Sequence, residues 1–180
     1  MKIKIVLPAL AALILSASAL AATPENYDTR FNVSAKVPDG SMITDPGGKP
    51  ISDLDVVLLP AASGRMEAQT IALKLWNNDV TKLSVALTLD DSQSGTGDEF
   101  RLYSTQSGKL DEMTYKINAI TSTASKEYAK SGDSSDFTLL ENGSHGELPV
   151  MFKFVSDKKY SELGQGNYSG LVYANVAAKS

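Results

Sequence analysis

Apolar and polar residues alternate along most of the chain, a pattern typical of β-strands with one buried face. The clearest alternating runs are residues 31–37, 71–75, 83–89, 115–119, 150–154 and 168–176. No helical period continues for more than about two turns. Short strands of this kind, separated by turn residues, predict an all-β sandwich.

Three segments depart from simple alternation. Residues 54–59 form an apolar run interrupted only by Asp55, which is typical of a strand covered on both faces. Asn77-Asn78-Asp79 lies between two strong strand patterns and predicts a tight hairpin. Residues 122–135 are mostly polar, and this composition is compatible with either a short helix or an exposed crossover loop.

The first residues carry the pattern of a secretory signal peptide. Lys2 and Lys4 precede an apolar stretch at residues 5–15, and Ala19-Leu20-Ala21 has the small residues of a cleavage site. The apolar stretch is too short to span a bilayer, so the expected segment is a signal peptide at residues 1–21. Cleavage there would leave 180 − 21 = 159 residues with a formal charge of −4 − 2 = −6.

Composition narrows the classes of function. The chain has 42% hydrophobic and 21% charged residues, which is typical of a globular protein. Its net charge of −4 argues against binding to nucleic acid, which needs a basic surface. The absence of cysteine excludes a disulfide framework, a cysteine-ligated zinc site and a thiol nucleophile.

Candidate catalytic residues are few. His145 is the only histidine, and Gly143-Ser144-His145-Gly146 predicts an exposed turn around it. No Gly-x-Ser-x-Gly motif of a hydrolase nucleophile is present. The acidic residues within 90–99 lack the spacing of an EF-hand and indicate a solvated loop. We therefore expect no enzymatic activity, no metal site and no cofactor.

The two ends of the exported chain carry the strongest strand patterns. One alternating run ends at Pro38-Asp39-Gly40, and the other continues from Tyr168 to Ala178 near the end of the sequence. Nothing in the sequence after the second run would cover its edge, and an uncovered edge invites the addition of another strand. Alternatively, the two terminal strands pair with each other inside one closed sandwich.

The residues at these ends resemble a known family. Residues 30–38, RFNVSAKVP, are similar to the N-terminal donor strand of the CFA/I- and CS1-type colonisation factor fimbrial major subunits, which are alpha-class chaperone–usher pilins. Residues 77–85, NNDVTKLSV, resemble a middle stretch of the family, and residues 166–172, GNYSGLV, resemble its C-terminal signature. The resemblance extends over nearly all of residues 27–180, with a variable middle.

The resemblance implies an incomplete immunoglobulin-like sandwich that is completed by donor-strand exchange. A periplasmic chaperone would first lend a strand, and the N-terminal extension of the next subunit would replace it at the outer-membrane usher. Residues 22–37 would be this donor extension, and residues 38–180 would be the pilin domain. The donor side chains would be Phe31, Val33, Ala35 and Val37. The strand beside the acceptor groove, which the chaperone also contacts, would carry Tyr168, Gly170, Val172, Ala174 and Val176.

The function that the resemblance implies is that of a structural major subunit of an adhesive fimbria, exported through the periplasm to the bacterial surface. Its partners would be copies of itself, the chaperone, the usher and a minor tip adhesin. A length of 159 residues after cleavage leaves no room for a separate receptor-binding domain, which favours a shaft subunit. A self-contained secreted carbohydrate-binding sandwich is the alternative, and a small exported hydrolase ranks last.

Overall fold

The computed structural model describes residues 30–34, 40–106 and 109–179. Contacts divide the chain into two compact units, residues 1–36 and 37–180. The described part of the first unit has no regular secondary structure, and its Phe31 and Val33 are 81% and 90% exposed. The predicted signal peptide and the predicted donor residues Ala35 and Val37 lie outside the described residues.

The second unit is built from β-strands, which confirms the class that alternation predicts. A short 3-10 helix, Tyr160–Glu162, follows the eleventh strand. The strands, in chain order, are β1 (Ser41–Thr44), β2 (Leu59–Pro60), β3 (Arg65–Gln69), β4 (Leu73–Asn77), β5 (Ser84–Asp91), β6 (Phe100–Gln106), β7 (Lys109–Ile120), β8 (Ser125–Tyr128), β9 (Asp133–Thr138), β10 (Leu140–Asn142), β11 (His145–Lys159) and β12 (Val172–Ala178).

The strands form a large curled sheet and a small facing sheet. The large sheet has the order β1-β4-β11-β3-β2, and β11 also pairs with β7 and β10. β7 in turn carries β6 and β8 on its edges. The small sheet has the order β12-β5-β9, and all the strand pairs are antiparallel. The long β11 therefore pairs with four strands of the large sheet, whereas β12 lies at the edge of the small one.

The hydrophobic core lies between the two sheets. Leu87 of β5 and Phe137 of β9 belong to the same buried cluster as Leu75, Ile117 and Phe152 of the large sheet. Burial costs a polar group free energy unless it is hydrogen-bonded. Tyr128 illustrates this, since its fully buried hydroxyl donates to the carbonyl of Leu87 at 3.2 Å. Burial raises the pKa of Tyr128 to about 12.

The apolar run at residues 54–59 does not form the predicted strand with two covered faces. Only Leu59 and Pro60 pair with another strand, and Leu54, Val57 and Leu59 are exposed. Residues 52–58 form no backbone–backbone hydrogen bond with another described residue. An apolar run predicts burial, but the neighbours that would bury this one are absent from the described chain.

The predicted hairpin at Asn77-Asn78-Asp79 is also wrong. β4 pairs with β1 and β11 in the large sheet, whereas β5 pairs with β9 and β12 in the small one. The three residues do form a turn, although its strands do not pair. The buried Asn77 side chain accepts a hydrogen bond from the backbone N–H of Asp79 at 2.9 Å and donates one to the carbonyl of Lys82 at 2.9 Å. This turn directs the chain from one sheet to the other.

Residues 122–135 are neither the short helix nor the exposed loop that their composition allows. They contain β8 and the start of β9. β8 pairs with β7 and β9 with β5, as edge strands of their sheets in the described chain. Edge strands keep one face towards water, which explains their polar composition. Tyr128 and Phe137 bury the opposite faces.

His145 does not lie in an exposed turn as predicted. It is the first residue of β11, and its ring stacks on that of Trp76 with 3.5 Å between the ring centroids and 13° between the planes. Its Nε2 lies 3.3 Å from Glu147, which also binds the ammonium group of Lys74 at 2.7 Å. The hydrogen bond from Lys74 is the main reason that the pKa of Glu147 is lowered.

Candidate strand-binding groove

The outer edge of β12 carries no paired strand in the described part of the chain. β12 pairs with β5 along its whole length, from Val172 opposite Asp91 to Ala178 opposite Val85. At the two ends of this ladder, the N–H of Ser92 donates to Leu171 at 2.9 Å and the N–H of Lys179 donates to Ser84 at 2.8 Å. The odd-numbered residues of β12 therefore bond to β5.

The even-numbered residues of β12 direct their backbone groups the other way, because bonded and non-bonded pairs alternate along an antiparallel ladder. These residues are Val172, Ala174, Val176 and Ala178. The open edge thus presents a row of N–H and C=O groups to an incoming strand. An edge of this kind is a template for pairing with another chain.

A groove of about 680 Å³, which we call the edge groove, lies beside this open edge. One wall is β12 with the preceding Leu171, and the other is formed by β1 and residues 51–56. Its floor includes Leu73, Leu89, Ile117 and Phe152.

The floor of the edge groove belongs to the hydrophobic core. Leu89 comes from β5 in the small sheet, whereas Leu73, Ile117 and Phe152 come from the large sheet, and all four are buried. The groove therefore opens into the space between the sheets. The Cα atoms of β1 and β12 come within 8 Å of each other, whereas a strand paired between two others keeps them roughly 9.6 Å apart. An apolar strand placed there would therefore displace β1 as it pairs with β12 and extends the core.

The wall opposite β12 is held by few bonds. The N–H of Ile51 donates to the carbonyl of Ile43 in β1 at 3.0 Å, which fixes the start of this wall. Beyond it, Asp53 and Asp55 are exposed and Leu54 is 45% exposed. Sequence reasoning missed this wall, although the apolar run beginning at Leu54 was the available signal.

Three of the five predicted acceptor-strand residues lie where the prediction puts them. Val172, Ala174 and Val176 line the edge groove, and Val172 and Val176 also pack against the core. The outward-facing Tyr173 between them is 58% exposed. The alternation therefore assigns the faces of β12 correctly, whereas the binding role of these side chains stays a prediction.

Tyr168 and Gly170 do not belong to this strand, so the predicted start of the strand is wrong. The intervening Ser169 pairs with Tyr103 of β6 through two backbone hydrogen bonds of 3.0 Å each. A Cβ atom on Gly170 would lie 2.9 Å from the carbonyl oxygen of Arg101 and 2.7 Å from the Leu102 side chain. The segment thus contacts β6 first and joins the β5 ladder only at Val172.

The Tyr168 hydroxyl anchors this segment to β7. It donates to the carboxylate of Asp111 at 2.6 Å. This bond is the main cause that lowers the pKa of Asp111. Burial, followed by the same hydrogen bond, raises the pKa of Tyr168 to about 12. Tyr168 therefore fixes the position of the residues that precede β12, and it does not line the edge groove.

Of the predicted donor residues, the structure describes Phe31 and Val33, both in the first unit and both exposed. Large exposed apolar side chains in sequence neighbours mark a segment suited to contact with another surface. Among the described residues, no group of three His, Asp or Glu side chains could hold a metal ion. In the same part of the chain, no helix is long and apolar enough to cross a membrane.

No protein-family model matches the chain, and no curated protein sequence is detectably similar. Several solved structures resemble it, including the following two. One is a chaperone–tip adhesin complex of CFA/I fimbriae biogenesis, with 15% identity, a TM-score of 0.46, and coverage of 78% of this chain and 42% of that chain. The other is a variant of the CFA/I adhesin CfaE of enterotoxigenic Escherichia coli, with 14% identity, a TM-score of 0.51, and coverage of 78% and 44%.

The likeness to the CfaE structure shows the fold, an all-β immunoglobulin-like sandwich. At 14% identity it shows the fold alone. The chain spans less than half of the length of either solved chain.

Proposed function

We propose that the chain is a structural shaft subunit of a CFA/I-type fimbria, in which the N-terminal segment of one copy completes the sandwich of the next. The observation that carries this proposal is the edge groove, where a strand edge that no described strand pairs with adjoins an opening into the core. The immunoglobulin-like fold shared with a fimbrial adhesin is consistent with it.

The backbone of β12 supplies the first part of the proposed interaction. The N–H and C=O groups of Val172, Ala174, Val176 and Ala178 point to the open edge. Each net hydrogen bond to an added strand contributes about 0.5–1.5 kcal/mol. In strand-addition complexes these main-chain bonds provide affinity, while pockets for alternate side chains provide register and specificity.

The N-terminal segment supplies the second part. β12 has seven residues, and the alternating run at residues 31–37 also has seven, or about 23 Å at 3.3 Å per residue. Phe31, Val33, Ala35 and Val37 share one face of such a strand. Burying Phe31 or Val33, both now exposed, would contribute about 1.5–3 kcal/mol each.

A shaft role follows from having both features in one chain. A subunit that accepts a strand through one surface and donates a strand from another makes a head-to-tail contact, which extends without closing unless the rotation forms a ring. Copies of the chain would then form a fibre. We further propose that a periplasmic chaperone occupies the edge groove before assembly and that an outer-membrane usher directs the exchange to the cell surface, with a tip adhesin at the end. The role is structural and needs no enzymatic activity.

Charging the donor side chains tests this proposal. We expect Phe31→Glu combined with Val33→Glu to abolish fibres, because two carboxylates would have to enter the apolar groove. The measurement is electron microscopy of cells that export the chain together with its own chaperone and usher.

The matched control changes the neighbouring polar positions. Asn32→Glu combined with Ser34→Glu adds the same charge on the opposite face of the strand, and fibres should persist in reduced or normal number. Normal fibres from the Phe31/Val33 variant would contradict the proposal. So would a stable monomer secreted without any chaperone, which is the behaviour of a self-contained carbohydrate-binding module.

A further inference from the structure

We propose that Asp53 and Asp55 form an acidic rim on the edge groove that selects and steers a basic donor strand. The occupant we assign is the segment of a second copy that contains Arg30 and Lys36. This inference rests on the proposed function and adds the residues that determine which strand is accepted.

The acidic rim is defined by what lines the groove. Asp53 and Asp55 are the only charged residues among the described residues of its lining. Both are exposed, and neither forms an ion pair with a described residue. The Asp53 carboxylate accepts a hydrogen bond from the Ser52 hydroxyl at 3.2 Å, and Asp55 has no such bond to a described residue. The rim is therefore a pair of negative charges that no cation of the described residues pairs with.

The strand-forming part of the donor extension has the opposite charge, whereas the preceding residues 22–29 contain two acids, Glu25 and Asp28. Residues 30–37 include Arg30 and Lys36 and no acidic residue, although the whole chain has 21 acidic and 17 basic residues. A basic run is thus not what the overall composition would produce. Groove and segment are complementary in charge as well as in their apolar side chains.

The alternation of the segment places these charges at the rim. Phe31, Val33, Ala35 and Val37 would face the floor, so Arg30, Asn32, Ser34 and Lys36 would face away from it, because successive side chains of a strand point to opposite faces. The cations would then lie at the level of the exposed wall rather than in the core. The carboxylates and the donor cations meet in solvent, where their interaction depends on ionic strength.

Charges in such a position act mainly on the rate of association. Complementary rim charges steer the encounter and set its salt dependence, whereas buried contacts set the rate of dissociation. The same carboxylates would repel an acidic strand, which discriminates between donor segments. The inference therefore predicts a strong effect on association at low salt and a small effect on dissociation.

The test uses a fluorescent synthetic peptide of residues 29–38 and the exported chain, with its N-terminal segment intact, in complex with its periplasmic chaperone, which the peptide displaces from the edge groove. Association and dissociation rates are measured by stopped flow at low and high sodium chloride. Reversing the peptide charges, Arg30→Glu with Lys36→Glu, should slow association about tenfold at low salt and about twofold at high salt, where charges are screened. Dissociation should change by no more than about twofold.

Charge reversal on the chain should restore the rate. Asp53→Lys with Asp55→Lys should bind the reversed peptide at close to the original rate. The matched control is Glu99→Lys with Glu141→Lys, which reverses two exposed acids outside the groove lining and gives the same net charge.

The outcomes separate this inference from the proposed function. If the original and reversed peptides bind the unchanged chain equally fast at low salt, or if the control chain restores the rate as well as the Asp53/Asp55 variant, the acidic rim is overturned and the proposed function stands. If the original peptide binds no chain, both are overturned. The peptide variants decide the question even if a chain variant does not fold, because they leave the chain unchanged.

Discussion

The C-terminal segment of the chain meets two strand edges, those of β6 and β12, of which one is covered and the other is open in the described chain. The edge of β6 is covered, because Ser169 forms two backbone hydrogen bonds of 3.0 Å with Tyr103. The edge of β12, a few residues further on, is left open in the described chain. Both edges are therefore within reach of the same segment of the protein.

Because the edge of β6 is covered, the open edge is a property of β12 and not of the strand edges in general. Gly170 lies so close to Arg101 and Leu102 that any side chain there would collide with β6. Uncovered edges are a hazard that proteins usually avoid. Here the covered edge fixes the start of β12, and the open edge adjoins the floor of the edge groove. A fixed but unpaired strand is the arrangement that strand addition requires.

The largest contrast between the two sides of β12 should come from a pair of proline variants. Asn175 bonds to β5, so Asn175→Pro leaves the carbonyl of the partly buried Thr88 without its ladder partner and should lower the free energy of unfolding by about 1–3 kcal/mol. Ala174 directs its N–H to the open edge, where proline is tolerated. Ala174→Pro should therefore change stability little and yet impair assembly. Urea unfolding and electron microscopy measure the two effects.

Equal loss of stability in the two proline variants would contradict the assigned direction of the backbone groups. Unchanged fibres from Ala174→Pro would show that the N–H of this residue takes no part in assembly.

A single methyl group added at Gly170, beside the covered edge of β6, should lower the stability of the chain. Gly170→Ala places a Cβ atom 2.9 Å from a backbone carbonyl oxygen, which cannot move as a flexible side chain can. Overpacking of this kind costs about 1–3 kcal/mol, and we expect the urea midpoint to fall accordingly. Gly95→Ala is the control, because its new Cβ would meet only the mobile end of Asp98. Equal stability of the two variants would mean that the segment does not lie against β6 as described.

The faces of individual strands could be predicted because alternation is a local property of the sequence. Val172 and Val176 lie towards the core as their spacing requires, and the same is true of Leu87 and Leu89 in β5. The motifs at the two chain ends also directed attention to β12 and to Phe31 and Val33. This much of the fold could be predicted from the sequence, whereas the donor role of Phe31 and Val33 stays a prediction.

Which strands pair could not be predicted, because pairing depends on residues far apart in the sequence. The turn at Asn77 has the residues of a hairpin, yet its strands enter different sheets. Tyr168 and Gly170 continue the alternation of β12, yet they lie along β6. The run at residues 54–59 is apolar enough for a core strand, but only tertiary structure shows that its first residues, 54–56, form part of the second wall of the edge groove.

The smallest expected effect concerns the hydrogen bond between Tyr168 and Asp111, which anchors the segment that covers the edge of β6. The Tyr168 hydroxyl lowers the pKa of Asp111 below its ordinary value of 3.8. Ionised Asp111 therefore stabilises the fold above that value, and this contribution is lost as the pH falls through the lowered pKa. Tyr168→Phe removes the main cause, so the variant should be slightly less stable than the original chain at neutral pH.

The free energies of unfolding of the variant and of the original chain should then become equal in acid, below the lowered pKa of Asp111. Asp111 is protonated there, so the stabilisation by its charge is lost in both proteins. Urea midpoints measured from pH 7 to pH 2 test this. Other carboxylates with lowered pKa values, including Glu67 and Glu147, destabilise both proteins equally in acid and cancel in the difference. Tyr160→Phe is the control, because Tyr160 is half exposed and its hydroxyl has no described hydrogen bond. A constant difference in stability between Tyr168→Phe and the original chain across the whole pH range would assign the anchoring to the second bond that the variant loses, which the Tyr168 hydroxyl donates to the carbonyl of Gly164 at 2.9 Å. The charge of Asp111 would then have no part in holding the residues that precede β12.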